Sequence, residues 1–444
     1  MTATATAEVI DLYPEVAEAP RYSCALGGAY VAALAAYGTA PILHSGAGCG
    51  IGQQFGQNYA GGQNAAGNYG NTSTPCSCLV EEHVVFGGEE KLRSLIDSTL
   101  KIVKADLYAV ISGCIPSLIG DDVDAVVKEF RDKASIIHVK TAGFLGNSYT
   151  GYEHFLDAVI EQLLEPLPKE KKLVNILGLV PSQHLHWKGS LRVIKSLLER
   201  AGVKVNIVFS EKDGLGALKR IPAAELNLVF SPWVGIKAAE KLKEKFDTPF
   251  EVIPFVPVGP RDTTSFLYQV GKLLNLPKKN IDRVVKEEEW WAYRSAEYFG
   301  DILVIGLPHA FFGVIADSGT AIGLTRYGSN ELGWLPELVI VSDNPPEESR
   351  DEIRRLLTEG LASVVKPKVF FETDSHKIKL ILQKHSLQLL LGSSLEKFLP
   401  KGEAVFLSVS FPSYDRLIID RTYAGYRGGV ALMEDVASQY AGPL

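Results

Sequence analysis

The sequence predicts an α/β protein built from three doubly wound, Rossmann-like parallel-sheet domains. Three observations carry this expectation. At 444 residues the chain exceeds what one hydrophobic core usually supports, so several domains of roughly 100–200 residues are expected. From about residue 100 onward, short β-branched runs alternate with amphipathic stretches, the pattern of parallel strands covered by helices. Those alternations fall into three series, separated by a Pro- and Lys-rich run at 165–172 and a long charged stretch at 278–300. The expected domains are 1–168, 169–299 and 300–444.

In chain order, the first series has an amphipathic helix at 89–104 and strands at 107–112 (LYAVIS) and 135–139 (SIIHV). A strand follows at 172–180, and the second series then runs through KVNIVFS, LNLVFSP and FEVIPFVPVG, with helices near 188–201, 236–246 and 262–275. The third holds DILVIGLP at 301–308, then ELVIVSD, PKVFFETD, LQLLLGSS and AVFLSVSFP. Near-continuous apolar runs of this kind suit strands buried on both faces.

Composition narrows the function classes. The 52 acidic and 45 basic side chains give a net charge of -7, which offers no footprint for nucleic acid or an anionic membrane. No Asp, Glu, Lys or Arg occurs between Arg21 and Glu81, but Gly27, Gly28, Gly38 and Pro41 interrupt the stretch and no basic flank follows, so a membrane span is rejected. A close-packed, uncharged wall beside a cofactor is expected instead, buried against a partner chain. The N-terminal run MTATATAEVIDLYPEVAEAP has no basic start and no apolar core of a signal peptide, which favours a reducing cytoplasm.

All five cysteines, Cys24, Cys49, Cys76, Cys78 and Cys114, lie in the first 114 residues. Cys24 and Cys49 stand among small residues, SCALGG and HSGAGCGIG, where glycines permit backbone to approach a bulky inorganic group. Cys114 follows the strand LYAVIS across a single glycine, at the strand end where α/β sheets bind ligands, and precedes a helix expected near Asp121 or Asp122. The spacing matches neither a zinc ribbon nor a small ferredoxin. It supports an iron-sulfur cluster shared by several loops. A dinucleotide-binding reading of GAGCGIG fails because Ile51 stands where the third glycine belongs.

These pieces, CALGG, HSGAGCG, EEHVVFGGEEKL, SGCIPSLIGDDVDAV, TAGFLGNSYTGY and FPSYDRLIIDRTYAGYRGG, in this order resemble the β-type subunit of the nitrogenase component 1 family from Cys24 nearly to the C-terminus. The resemblance implies three doubly wound domains in an α2β2 heterotetramer. A P-cluster-type iron-sulfur cluster (8Fe-7S), or a simpler 4Fe-4S cluster, would lie at the interface with an α-type subunit. Matched residue by residue, Cys24, Cys49 and Cys114 fall on the β-side cysteine ligands. Some members place a serine ligand in the loop resembling FLGNSYTG, where ungapped matching puts Asn147, with Ser148 one residue on. Cys76 and Cys78 receive no ligand role and are expected to pack.

No cysteine follows Cys114, so the chain lacks the thiolate with which the family's α-type subunit holds the active-site cofactor. This assigns it electron relay and no catalytic residue of its own. The histidines His184, His186, His309, His376 and His385 take ordinary packed or solvent-facing readings. No phosphate-binding loop GxxxxGK[ST] occurs, so ATP hydrolysis falls to a separate iron protein. The segment 50–78 is rich in Gly, Asn and Gln, unlike the stretch expected in dinitrogen-reducing β subunits. A nitrogenase-like reductase, such as one that cleaves C-S bonds in methylthio-alkanes, is therefore carried beside nitrogenase proper. A cofactor-assembly scaffold and a tetrapyrrole-reducing relative are the alternatives.

Overall fold

The computed structural model describes residues 21–53, 61, 74–300, 310–399 and 404–441. Within them, strands β1 (Thr39–His44), β2 (Leu107–Ser112) and β3 (Ile136–Lys140) form a first parallel sheet in the order β1-β2-β3. Strands β4 (Glu170–Leu177), β5 (Lys204–Ile207), β6 (Ala224–Val229) and β7 (Phe250–Val252) form a second, β5-β4-β6-β7. Strands β8 (Phe311–Ala316), β9 (Leu335–Val341), β10 (Lys368–Phe371), β11 (Leu389–Gly392) and β12 (Val405–Ser408) form a third, β10-β9-β8-β11-β12. Every described pairing within the sheets is parallel, as the expected α/β class requires.

The first sheet carries α1 (Ala25–Ala35), α2 (Ala47–Gln53), α3 (Glu81–Phe86), α4 (Glu89–Ile102), α5 (Cys114–Ile119), α6 (Val123–Lys128) and α7 (Ser148–Gln162). Around the second lie α8 (Trp187–Ala201), α9 (Gly214–Lys219), α10 (Ile236–Phe246), α11 (Gly259–Leu273) and the long α12 (Lys278–Tyr298). Helices Ser318–Asn330, Glu347–Thr358, Ser375–Leu382 and Gly425–Ala441 accompany the third. The strand expected at 301–308 lies outside the described residues. Strand β8, which begins three residues beyond the end of that run, is the central strand of the third sheet.

One expectation is corrected. The uncharged segment after Cys24 was read as a face to be covered by a partner, yet every residue of α1 and of β1 is buried within this chain. The physical reason is small-residue packing between α1 and α7. A Cβ added at Gly28 would lie 1.9 Å from the Ser148 carbonyl oxygen, and one at Gly151 would lie 2.0 Å from that of Ala25. Two glycines thus let the helix backbones touch, and α1 needs no charged face because it has no solvent face.

A second correction concerns the helix after β2. It begins at Cys114 itself, as the short α5, ended by Gly120 in the left-handed region at φ 79°. The next helix, α6, then starts where sequence placed it, with Asp122 as its N-cap accepting from the Ala125 N–H at 3.0 Å.

Candidate functional site

Parallel strands deliver their C-terminal ends to one edge of a sheet, and the loops that leave that edge are the natural place for a ligand. In the first sheet these ends are His44, Ser112 and Lys140. Each of the three loops is held against the next by a glycine.

Cys24 occupies the N-cap position of α1 in extended conformation, and its carbonyl oxygen accepts from the Gly27 N–H at 3.0 Å. It pairs with Asn147 in an isolated antiparallel bridge, reinforced by the Ala25 N–H donating to the Gly146 oxygen at 3.0 Å. Cys114 is the first residue of α5, one residue past the Gly113 that follows β2. The Gly143 N–H, from the loop after β3, donates to Cys114 Sγ at 3.0 Å. A Cβ at Gly143 would lie 3.1 Å from Cys114 Sγ and 3.5 Å from Cys24 Sγ. The two sulfurs therefore flank Gly143 and are no farther apart than those two distances together.

Cys49 stands in the first turns of α2, its N–H donating to the Gly46 oxygen at 3.1 Å. The turn that leads to it lies on the Cys114 loop: a Cβ at Gly113 would be 2.8 Å from Ser45 Oγ, and one at Gly46 would be 3.5 Å from Ile115 Cδ1. The structure thus brings Cys24 and Cys114 together and sets the Cys49 loop beside them. Among the described residues, no group of three or more His, Cys, Asp and Glu side chains gathers as a single metal ion needs. A polynuclear cluster makes a different demand, since each thiolate binds its own iron.

The residues fit such a cluster. Three soft thiol donors leave glycine-bearing turns at one sheet edge, and position 143 is a cradle that any side chain would fill. A backbone N–H already aimed at a ligand sulfur is the contact that stabilises thiolate and tunes a cluster.

Cys76 and Cys78 differ in kind. The Cys76 thiol donates to the carbonyls of Ser45 and Gly46 at 3.7 and 3.8 Å, and burial pushes it up to about 11, so it remains protonated at neutral pH. Cys78 is exposed, in the left-handed region at φ 50°, and its N–H donates to Cys76 Sγ at 3.4 Å. Asn147 Oδ1 is occupied as the N-cap of α7, accepting from the N–H groups of Tyr149 and Thr150 at 3.1 and 3.3 Å. Ser148 is fully buried against Gly28, with no partner for its hydroxyl.

Sequence reasoning missed a polar brace beneath the site. Asp121 Oδ1 accepts from the Gly88 N–H at 2.9 Å, and its Oδ2 meets His44 Nε2 at 3.1 Å. The second His44 nitrogen meets Ser77 Oγ at 3.1 Å. Burial outweighs the Asp121 carboxylate and lowers the His44 pKa, so the imidazole is neutral at physiological pH. The brace ties VFGG to IGDD, two runs some 30 residues apart in sequence. Beside it, Val84, Val85 and Phe86 of α3, Leu118 of α5 and Phe144 leave large apolar side chains in solvent, Phe86 at 83% exposure.

The histidines set aside by sequence stay apart from the cysteine loops. His184 and His186 are buried among polar and aromatic neighbours, and His385 Nδ1 meets Glu337 Oε1 at 2.8 Å. His376 sits in the first turn of its helix, and His309 is outside the described residues.

Three parallel α/β sheets, with cysteine-bearing turns gathered near the C-terminal edge of the first, place the chain among α/β proteins with a thiol-rich loop cluster. The chain belongs to the nitrogenase component 1 type oxidoreductases, whose family profile matches residues 24–440. It is 25% identical to the nitrogenase iron-iron protein β chain of Rhodobacter capsulatus, over 94% of this chain and 93% of that one. It is 26% identical to the nitrogenase iron-molybdenum cofactor biosynthesis protein NifE of Clostridium pasteurianum, over 81% of this chain and 75% of that protein. Its fold is that of the solved structure of nitrogenase Cp1 at pH 6.5, at a TM-score of 0.79 and 21% identity, covering 97% of this chain and 95% of the other. Among the described residues, no helix is long and apolar enough to cross a membrane.

Proposed function

We propose that this chain is the β-type, electron-relay subunit of a cytoplasmic nitrogenase-family reductase, with Cys24, Cys49 and Cys114 holding a P-cluster-type iron-sulfur cluster against an α-type partner. The observation that carries the reading is the pair of sulfurs, Cys24 and Cys114, flanking Gly143, whose N–H points at one of them. Three thiols from one chain are an incomplete ligand set for such a cluster, so the partner supplies the rest. When bound, the cluster supplies one-electron storage and transfer.

The chain's own residues do the remaining work. The turns at Cys24, Cys49 and Cys114 fix the sulfurs, Gly143 keeps the space between them open, and the α1/α7 contact holds the Cys24 loop to the Asn147 loop. The exposed apolar residues of α3 and α5, set on the Asp121 brace, form a firm face suited to the ATP-hydrolysing iron protein. The reduction itself, of dinitrogen or of an organosulfur compound in a nitrogenase-like enzyme, would take place in the α-type subunit.

Similarity to a cofactor biosynthesis protein favours a second reading, a scaffold that builds and hands on a cluster. The complex should be purified anaerobically with its partner, mixed with iron protein and ATP, and offered dinitrogen, acetylene and dimethyl sulfide. Reduction of any of them supports the relay reading. Transfer of iron to an acceptor protein with no reduction would favour the scaffold.

A further inference from the structure

The C-terminal ends of strands from the second and third sheets enclose a small pocket of about 20 Å3. It sits at the point where the second sheet reverses strand order, between β4 and β6, and Asp317 and Asp343 enter it from the ends of β8 and β9. A pocket this size admits one water molecule.

Each carboxylate spends one oxygen on fixed donors. Asp343 Oδ2 accepts from Trp233 Nε1 at 2.9 Å, from the Ser318 N–H at 3.0 Å and from the Ser318 hydroxyl. Asp317 Oδ1 accepts from the Thr320 N–H at 3.0 Å, capping the helix Ser318–Asn330. The other two oxygens, Asp343 Oδ1 and Asp317 Oδ2, are out of solvent and have no partner. The titratable groups lining the pocket are Tyr149 of α7, His184 after β4 and the two aspartates, and no Lys or Arg lines it. Burial holds His184 down at about 4, so it is neutral, and raises Tyr149 well above its usual value, so it remains a phenol. Two ionised carboxylates would thus be buried without a counter-charge, an arrangement that buried pairs avoid by keeping a proton.

We propose that Asp317 and Asp343 share one proton, directly or through the single water the pocket admits, and that this proton ties the end of β8 to the end of β9 where they face the second sheet. One proton makes one unpartnered oxygen a donor and the other its acceptor, so both are satisfied at once. Burial and then the neighbouring Asp317 push the Asp343 carboxyl up to about 6, and burial raises Asp317 as well. The native pKa lies above the unfolded one. The stabilisation is therefore complete at low pH and is lost as pH rises through about 6. The competing occupant is a hard cation held between the carboxylates.

The test is thermal unfolding of the complex, purified with its partner, at about pH 5.5 and about pH 8, for wild type, Asp343→Asn and Asp317→Asn. Either asparagine keeps the accepting oxygen and puts an N–H where the proton sits. Relative to wild type, each variant should gain roughly 1 °C in Tm on going from the lower to the higher pH. The infrared difference between wild type and Asp343→Asn at the lower pH should show the carbonyl stretch of a protonated acid. Asp317→Asn keeps the test open if Asp343→Asn does not fold. An offset between wild type and variants that is the same at both pH values would overturn the proposal. So would a Tm raised by Mg2+ or Ca2+ in wild type and not in the variants.

Discussion

At the residue scale, the five cysteines divide by what surrounds their sulfurs. Cys114 receives a backbone N–H from Gly143, whereas Cys76 gives its own proton to two carbonyls and is pushed toward the thiol form. A thiolate binds metal and a thiol does not. Replacing Cys76 and Cys78 together by alanine should leave the iron content of the complex nearly intact, and loss of half the iron on metal analysis would overturn that division. Part of this was legible in sequence, because a cysteine placed one glycine after a buried strand and followed by turn residues marks a sheet's C-terminal edge. Asp121 was read as a helix N-terminal carboxylate, but only its neighbour Asp122 caps the helix. Asp121's partners, Gly88 and His44, are brought to it by the packing of loops, which local pattern does not encode.

At the scale of elements, the contact between α1 and α7 determines whether the Cys24 and Asn147 loops can pair. Replacing Gly151 by valine would press a side chain onto the backbone of α1, where even a Cβ would lie 2.0 Å from the Ala25 oxygen. Overpacking of this kind costs typically 1–3 kcal/mol and is relieved only by moving the helices apart. Thermal unfolding of the variant complex should show the lower Tm, and its iron content should fall with it because the Cys24 loop shifts. An unchanged Tm and iron content would mean that the contact does not position the site. Strand β2 and helices α4, α8 and α10 follow their sequence signals closely, since period and turn residues agree there. Strand β1 was read only as a short strand ahead of GAGCGIG. Its Pro41 argues against a central strand, and the structure resolves this by placing β1 at the sheet edge, where a missing N–H is tolerated.

For the whole molecule, the three sheets were legible because most strands centre on apolar, β-branched runs and the helices between them are amphipathic. The internal burial of α1 and β1 was not, because composition alone cannot tell a face awaiting a partner from a core. Large apolar side chains stand exposed on α3, on α5 and at Phe144, and also on α12 at Trp290 and Trp291. An obligate interface of the proposed kind buries more than about 2,000 Å2, and the cluster would be shared across it. Produced without its partner, the chain should therefore aggregate or purify with little iron and sulfide. A stable monomer that reduces substrate alone would contradict the subunit assignment.

The central claim is that Cys24, Cys49 and Cys114 bind one cluster. It is tested most directly by an iron-edge anomalous diffraction map of the anaerobically purified complex. The account predicts iron within about 2.3 Å of each of the three sulfurs, the length of a metal-thiolate bond. Any of the three sulfurs lying more than about 3 Å from the nearest iron would contradict it.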